Sequence, residues 1–263
     1  MKSFKANFHT HTVASFDGYN SYGALYKKCK QVGINLIAIT DHDTVAGAYK
    51  FIKWLEINNK TDLKVILGEE VTCTDGTHII GLFITDFIAS DTPINVIKNI
   101  KAQNGLVYFP HPARKDGIMQ SEFYNEAIKL GDAFEVFNAK ITNEFNSEAQ
   151  KEIVKHPHLI PLGGSDAHYN ADLLKCVCEI ELDPNNLKES LLQHGSNTIT
   201  IYGYKKIGGD NNYFSSYYKI KNKLNLPQFV KEIGKFAFPL YKNFKERKTN
   251  FKLDRIYVCN FKR

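Results

Sequence analysis

The chain has 263 residues, 43% of them hydrophobic and 24% charged, enough to bury a sizeable core as one large domain or a domain with an appendage, which excludes disordered and fibrous classes. No apolar run approaches the roughly 20 residues of a membrane-spanning helix, and the opening MKSFKANFHT lacks the apolar stretch of a secretory signal, so a cytoplasmic protein is expected. The net charge of +6 hides an asymmetry: residues 205–263 hold 15 Lys/Arg against 4 Asp/Glu, which leaves residues 1–204 at −5. An acidic body gathers carboxylates around cations, whereas a basic tail attracts phosphates, nucleic acid or anionic lipid.

Short runs rich in Val, Ile and Phe predict buried strands, and amphipathic stretches between them predict helices. In chain order these are a strand at 4–8, a helix at 22–32 stopped by Gly33, a strand at 36–39, a helix at 45–58, and strands at 65–67 and 78–84. A helix at 93–103 follows, opened by Pro93 and ending before Gly105, then a strand at 106–109 and a helix at 121–130 ending at Gly131. The strand at 133–137, helix at 144–156, strands at 159–162 and 177–182, helix at 184–194 and strand at 198–202 complete the body. Repeated strand and helix units predict parallel strands wrapped by helices, and this length suits a closed barrel as well as an open sheet. After Ile207 the run GGDNN reads as a linker. It leads into a helical, aromatic-rich basic segment and a final strand near 255–261. The division is therefore a body at 1–204 and an extension at 205–263.

The five cysteines are odd in number and include no CxxC pair, so they read as reduced and structural. Six of the nine histidines, by contrast, sit beside strands together with carboxylates. His9 and His11 end the first strand, where side chains at i and i+2 point to one side and can grip one ion. Asp17 follows in SFDGYN, where an ordinary turn aspartate is the alternative. Asp41, His42 and Asp43 come directly after a buried strand, a costly place for charge unless it is solvated, paired or bound to a cation, although Asp41 or Asp43 could also cap a helix. Glu69 and Glu70 end the third strand as adjacent like charges. His78 opens the next strand, with a hydrogen-bonded structural role as its alternative. His111 lies in FPHPAR, and GGSDAH supplies Asp166 and His168 as a second i, i+2 pair. Singly each has an ordinary explanation. Together they place His, Asp or Glu at the ends of almost every core strand, the face on which α/β barrels build active sites.

In the ordered motifs FHTH, TDHDT, LGEE, HIIG, FPHP and GGSDAH, residues 4–202 resemble the polymerase and histidinol phosphatase (PHP) family of metal-dependent phosphoesterases. The resemblance implies a distorted seven-stranded (β/α) barrel and two or three divalent ions such as Mn, Zn or Fe; the basic, mostly helical C-terminal extension lies outside it and reads as a helical cap that buries its aromatics on the barrel, or else as a surface for nucleic acid or anionic lipid. The same resemblance implies His9, His11, Glu70 and Asp166 around one ion, Glu70 bridging to a second held by His78 and His111, and Asp17, His42 and His168 around a third. The reaction implied is hydrolysis of a phosphomonoester, a small-molecule phosphate or a nucleotide, by a hydroxide bridging two ions. Arg114, Asp166 and His168 are then the catalytic candidates, with Arg114 placed to clamp a phosphate oxygen or else to form a surface salt bridge. Lys140 is a weaker phosphate candidate, and Glu135 either orients a ligand histidine or pairs with a nearby base. The TDHD segment is closer to members acting on nucleotides and oligonucleotides than to histidinol phosphate phosphatases. The short spacing from His78 to His111 leaves no room for an insertion domain. Three other functions remain open: a 3′-5′ exonuclease or oligonucleotide phosphodiesterase holding nucleic acid with the basic tail, a non-catalytic metal-stabilised regulatory domain, and a metal-dependent amidohydrolase.

Overall fold

The computed structural model describes residues 1–193, 198–204 and 253–260. The linker, the helical part of the basic extension and the last residue of the helix expected at 184–194 lie outside the described residues. Ten strands form one sheet in the order β10-β9-β8-β1-β2-β3-β4-β5-β6-β7. They are β1 (Lys2–Asn7), β2 (Leu36–Ile39), β3 (Lys64–Thr72), β4 (His78–Leu82), β5 (Leu106–Phe109), β6 (Ala133–Asn138), β7 (Ile160–Gly164), β8 (Cys176–Leu182), β9 (Thr198–Gly203) and β10 (Asp254–Asn260). The helices α1 (Tyr22–Val32), α2 (Ala46–Ile57), α3 (Pro93–Ala102), α4 (Tyr124–Leu130), α5 (Asn143–Ile153) and α6 (Leu187–Leu192) link them. Among the described residues no helix is long and apolar enough to cross a membrane.

Strands β1 to β7 curl into a near-closed barrel. β2, β5, β6 and β7 are buried throughout, as continuous apolar runs covered on both faces require. The closure falls just beyond β1 and β7, where Thr10 and Ala167 make a parallel bridge. The Asp166 N–H donates to the His9 carbonyl, and the His11 N–H donates to that of Ala167, both at 3.0 Å. Asn7, buried at the end of β1, ties the same seam: its Oδ1 accepts from the N–H of His9 at 3.3 Å and from the N–H and Oγ of Ser165 at 3.2 Å. All five cysteines are free thiols, as expected. Two of them fill the space behind the seam, and the Cys178 thiol donates to the Gly163 carbonyl at 3.3 Å.

The expectation of parallel strands needs correcting at β4, β8, β9 and β10. β3 and β4 pair antiparallel because only a tight turn joins them, in which the Cys73 N–H reaches the Thr77 carbonyl at 2.8 Å; a parallel crossover needs a dozen residues or more. β8 pairs antiparallel with β1, β9 with β8, and β10 with β9, so the chain ends in a meander that extends the barrel wall. The reversal at β4 matters for the site. Since β4 runs backwards, its first residue His78 reaches the same rim as the last residues of its neighbours and stands opposite Thr72 of β3.

β3 is also longer than its apolar run, because Glu69 and Glu70 lie inside the ladder rather than after it. Their side chains alternate, so the two carboxyls face opposite ways and are not a like-charge pair. Glu70 enters the barrel mouth. Glu69 turns away, fully buried, where Oε2 accepts the Ile88 N–H at 2.9 Å and Oε1 has no partner. Burial, aided by the charges of Asp43 and Asp86, pushes its pKa up to about 8. An acid whose folded pKa is raised holds its proton in the folded state after the unfolded chain has lost it. Stability therefore falls as pH climbs from the unfolded value to about 8. Glu69→Gln removes that dependence, and we expect its stability advantage over wild type to grow by up to about 1 kcal/mol per pH unit between pH 5 and pH 8. Urea titrations at the two pH values measure it, and a constant difference would contradict the assignment.

Two helix ends show how local chemistry set the boundaries. Gly33 closes α1 in the left-handed conformation at φ 76°, as a C-terminal glycine should. Gly131, after α4, is extended at φ −72° and serves a different need: a Cβ there would lie 2.2 Å from the Phe109 ring.

Candidate metal centre

The nine side chains singled out in the sequence meet at one end of the barrel. Each belongs to at least one of four groups whose candidate ligand atoms lie within 4.8 Å of one another: His11, Asp17, His42 and His168; His9, His11 and Glu70; His9, His111 and Asp166; and His42, Glu70 and His78. The groups share members, so the three separate sets implied by resemblance form one continuous cluster.

Glu70 is its hub. Oε1 lies 2.9 Å from both His78 Nδ1 and His111 Nε2, while Oε2 lies 3.0 Å from His9 Nε2, 3.2 Å from His11 Nε2 and 3.6 Å from His42 Nε2. A buried carboxylate facing five imidazoles balances two opposed effects. Burial pushes its pKa up, but the charges of His42, His9 and His78 outweigh that and hold it well below the usual range. Asp166 is similar, with Oδ1 at 3.3 Å from His11 Nε2 and from His168 Nδ1. Lys140 and the histidines overcome its desolvation and keep it ionised. Asp17 accepts from His168 Nε2 at 2.7 Å, so it is more than a turn residue.

The backbone at this rim is strained where it delivers these groups. Asp43, His111 and Asp166 adopt φ of 51°, 28° and 49°. Such conformations persist only when surrounding bonds over-determine them. The Asp166 N–H is held by the His9 carbonyl at 3.0 Å and the His111 N–H by Glu135 Oε2 at 2.6 Å. Neither Asp41 nor Asp43 caps α2, contrary to the alternative raised for them: its N-cap is Val45, without a side-chain cap. Asp41 instead accepts from the Thr12 hydroxyl at 2.8 Å, and Asp43 from the N–H and hydroxyl of Thr72 at 2.8 and 3.0 Å, so both brace loops.

The donor set suits divalent ions. Burial pushes His42 and His111 below the ordinary imidazole value, and burial together with the charges of Lys140 and His11 pushes His168 down to about 4, whereas the neighbouring carboxylates overcome burial and raise His9, His11 and His78. The Nδ1 atoms of His11, His42 and His111 are buried without a hydrogen-bond partner, so hydrogen bonding within the cluster does not satisfy its imidazoles. Six imidazoles and three carboxylates form a donor set that could bind divalent metal.

Around them lies a second ring of support. Glu135 is saturated: Oε1 is 3.1 Å from His9 Nδ1 and accepts from the Tyr108 hydroxyl at 3.0 Å, and Oε2 accepts from Asn138 Nδ2 at 2.9 Å as well as from His111. Of the two roles open to it, it takes that of orienting His9. Arg114 forks onto Asp116, with Nη2 2.8 Å from Oδ2, while its Nη1 stands 4.0 Å from Asp166. Lys140 is exposed, yet its side chain reaches the cluster. Its Nζ lies 2.8 Å from His168 Nδ1 and 3.6 Å from Asp166 Oδ1. Sequence reasoning overlooked Asn7, Asn138 and Asp116. The two asparagines end β1 and β6, the same strand-end position that marked the histidines, and a search widened to neutral polar residues finds them. Of the other described histidines, His156 pairs with Glu152 at 3.2 Å and His158 with the Ile128 carbonyl at 3.0 Å, away from the cluster.

Comparison with known proteins bears on the fold and the family. An uncharacterized protein of Methanocaldococcus jannaschii, MJ1587, is 32% identical over 152 residues, covering 51% of this chain and 82% of that one. Among solved structures, a two-domain protein of Bacteroides vulgatus containing a predicted PHP-like metal-dependent phosphoesterase superposes with TM-score 0.59 at 16% identity, over 78% of this chain and 77% of that one. An inferred metal-dependent phosphoesterase of Bifidobacterium adolescentis gives 0.51 at 19% identity, over 70% and 91%. An amidohydrolase of Chromobacterium violaceum, solved with bound sulfate and no metal, gives 0.51 at 15%, over 62% and 87%. These likenesses establish the fold. The PHP domain family itself matches residues 7–183, from the end of β1 through β8 and across every member of the cluster, and the chain belongs to that family.

Proposed function

We propose that the protein is a metal-dependent phosphoesterase that hydrolyses a phosphomonoester, a small-molecule phosphate or a nucleotide. The observation that carries this reading is Glu70, whose two oxygens each face histidines from separate strands or loops and so suit a carboxylate shared between two ions. Bound there, divalent ions would supply Lewis acidity, acidifying water and neutralising phosphate oxygens. The chain's own residues do the rest. His9, His11, Glu70 and Asp166, with His78, His111, Asp17, His42 and His168, would hold the ions. Arg114 and Lys140 approach opposite oxygens of Asp166, at 4.0 and 3.6 Å, and bring two cations to the place where a phosphate's charge needs them. Asp116 fixes the Arg114 fork, so its remaining donors are pre-aimed.

The test is phosphate release by protein loaded with manganese, across sugar phosphates, histidinol phosphate, nucleotides and short oligonucleotides, with Asp166→Ala as the blank. Release from small monoesters supports the proposal. Shortening of oligonucleotides without monoester hydrolysis points to an exonuclease instead, and silence across the panel overturns catalysis. Within that assay, Arg114→Ala should lower kcat/KM by about 10²-fold, the usual scale for one lost charge-stabilising donor, with metal content at the wild-type level. Metal loss in this variant would mean that Arg114 supports His111, which it also touches at 3.2 Å, and has no part in holding phosphate.

A further inference from the structure

Phe16 is 82% exposed although it stands beside the centre. It precedes Asp17 on the loop between β1 and α1, and its ring centroid lies 5.2 Å from that of His42, tilted by 33°. The loop is firmly built. The Val13 N–H donates to the Asn20 carbonyl at 3.2 Å, the Tyr19 N–H to the His168 carbonyl at 2.8 Å, and Ser15 Oγ to Asp17 Oδ1 at 2.8 Å. Asn20 Nδ2 donates to the carbonyls of His11 and Ala167 at 2.7 and 2.8 Å, locking the loop onto the barrel seam. A Cβ at Gly18 would fall 1.9 Å from the Thr12 carbonyl oxygen, so the backbone is folded tightly upon itself. A phenylalanine held in water by so fixed a backbone forfeits the stabilisation that burial would give. Its neighbourhood supplies the compensating use. His42 neighbours both the Phe16 ring and Glu70, with its Nε2 3.6 Å from Oε2, while Lys140 and Arg114 bring cations to Asp166. An aromatic face one ring away from a phosphate-binding centre matches a molecule with a planar group joined to a phosphate through a short linker.

We infer that Phe16 is a stacking platform for the base of a nucleoside monophosphate and sets the preference of this centre for nucleotides over plain sugar phosphates. The inference rests on the phosphoesterase reading for the position of the phosphate. Stacking on an aromatic side chain tolerates any base, because every base has a π-face, so all four nucleosides should benefit.

The experiment is calorimetric binding to manganese-loaded protein of non-hydrolysable phosphonate analogues of the four nucleoside 5′-monophosphates and of ribose 5-phosphate, with circular dichroism to check each variant's fold. Wild type should bind the nucleoside analogues about ten-fold more tightly than the ribose analogue, Phe16→Ala should narrow the gap to about two-fold, and Phe16→Trp should keep it. Equal affinities in wild type, a full preference surviving in Phe16→Ala, or no binding of the nucleoside analogues each overturns the platform. Phosphate release from the parent esters is read separately. A Phe16-dependent binding preference without hydrolysis removes the phosphoesterase reading and leaves the platform, whereas hydrolysis of nucleoside and sugar esters with equal kcat/KM removes the platform and leaves the phosphoesterase.

Discussion

Glu70→Ala should lose bound metal and activity together, with activity falling by about 10³-fold or more, because one residue serves both halves of the cluster. Among the described residues no other carboxylate approaches all of His9, His11, His42, His78 and His111 to 3.6 Å or closer. Truncating Glu70 leaves buried imidazoles with Asp166 and Asp17 as the remaining carboxylates of the cluster, and neither of them is grouped with His78. Removing one partner from a buried charged network costs about 3–5 kcal/mol, so some loss of stability will accompany the loss of metal. Glu70→Gln separates the two effects: it keeps the volume and one oxygen but not the charge. Its metal content, measured by elemental analysis, should fall nearly as far while its melting temperature falls less. A Glu70 variant that keeps its activity would sink the assignment of this residue as the shared ligand.

Much of this centre was legible in the sequence, and the reason is physical. Strand ends at one rim of an α/β barrel are where the chain leaves the core, so a charged or ligating residue directly after an apolar run marks that rim. His9 after β1, His42 after β2 and His111 after β5 all follow this rule. His78 does not, because it begins its strand. It joins the cluster only because β4 runs backwards, a fact encoded in the short turn at 73–77 rather than in any periodicity. Glu69 and Glu70 look alike in sequence, and only the pleat, which sends alternate side chains to opposite faces, assigns one to the centre and buries the other beneath the Ile88 loop. The antiparallel meander β8–β10 was misjudged for a related reason: an apolar run specifies a buried strand but carries no sign of its direction. Lys140 illustrates a further limit. A lysine near a helix start is ordinarily solvated, and this one is exposed too; what ties it to the cluster is the approach of His168 from 28 residues away.

Glu135→Gln should weaken metal binding by about 10- to 100-fold and destabilise the fold, although Glu135 need not touch any ion. Four groups converge on its carboxylate: His9 Nδ1, the Tyr108 hydroxyl, the His111 N–H and Asn138 Nδ2. A glutamine keeps one oxygen and replaces the other with an NH₂, so two of those groups must face a donor in place of an acceptor inside the barrel. Neither rotamer avoids this, since both oxygens are in use. The side chain has little room to retreat either: it packs against the bare backbone of Gly164, where a Cβ would lie 2.2 Å from Oε1. The first consequence falls on His9, whose ring loses the contact that fixes its tautomer and so its presentation of Nε2 to Glu70. The second falls on His111, whose backbone at φ 28° is held in place partly by the lost bond. The damage therefore reaches both sides of Glu70 at once. The expected signature is a lower metal affinity that excess manganese restores in large part, together with a melting temperature several degrees below wild type that added metal recovers only in part. Glu70 variants should not be rescued by excess metal, because there the shared ligand itself is missing. Wild-type affinity and melting temperature in Glu135→Gln would show that His9 and His111 hold their positions without it, and would move the origin of their alignment to the seam around Asn7 and Ser165.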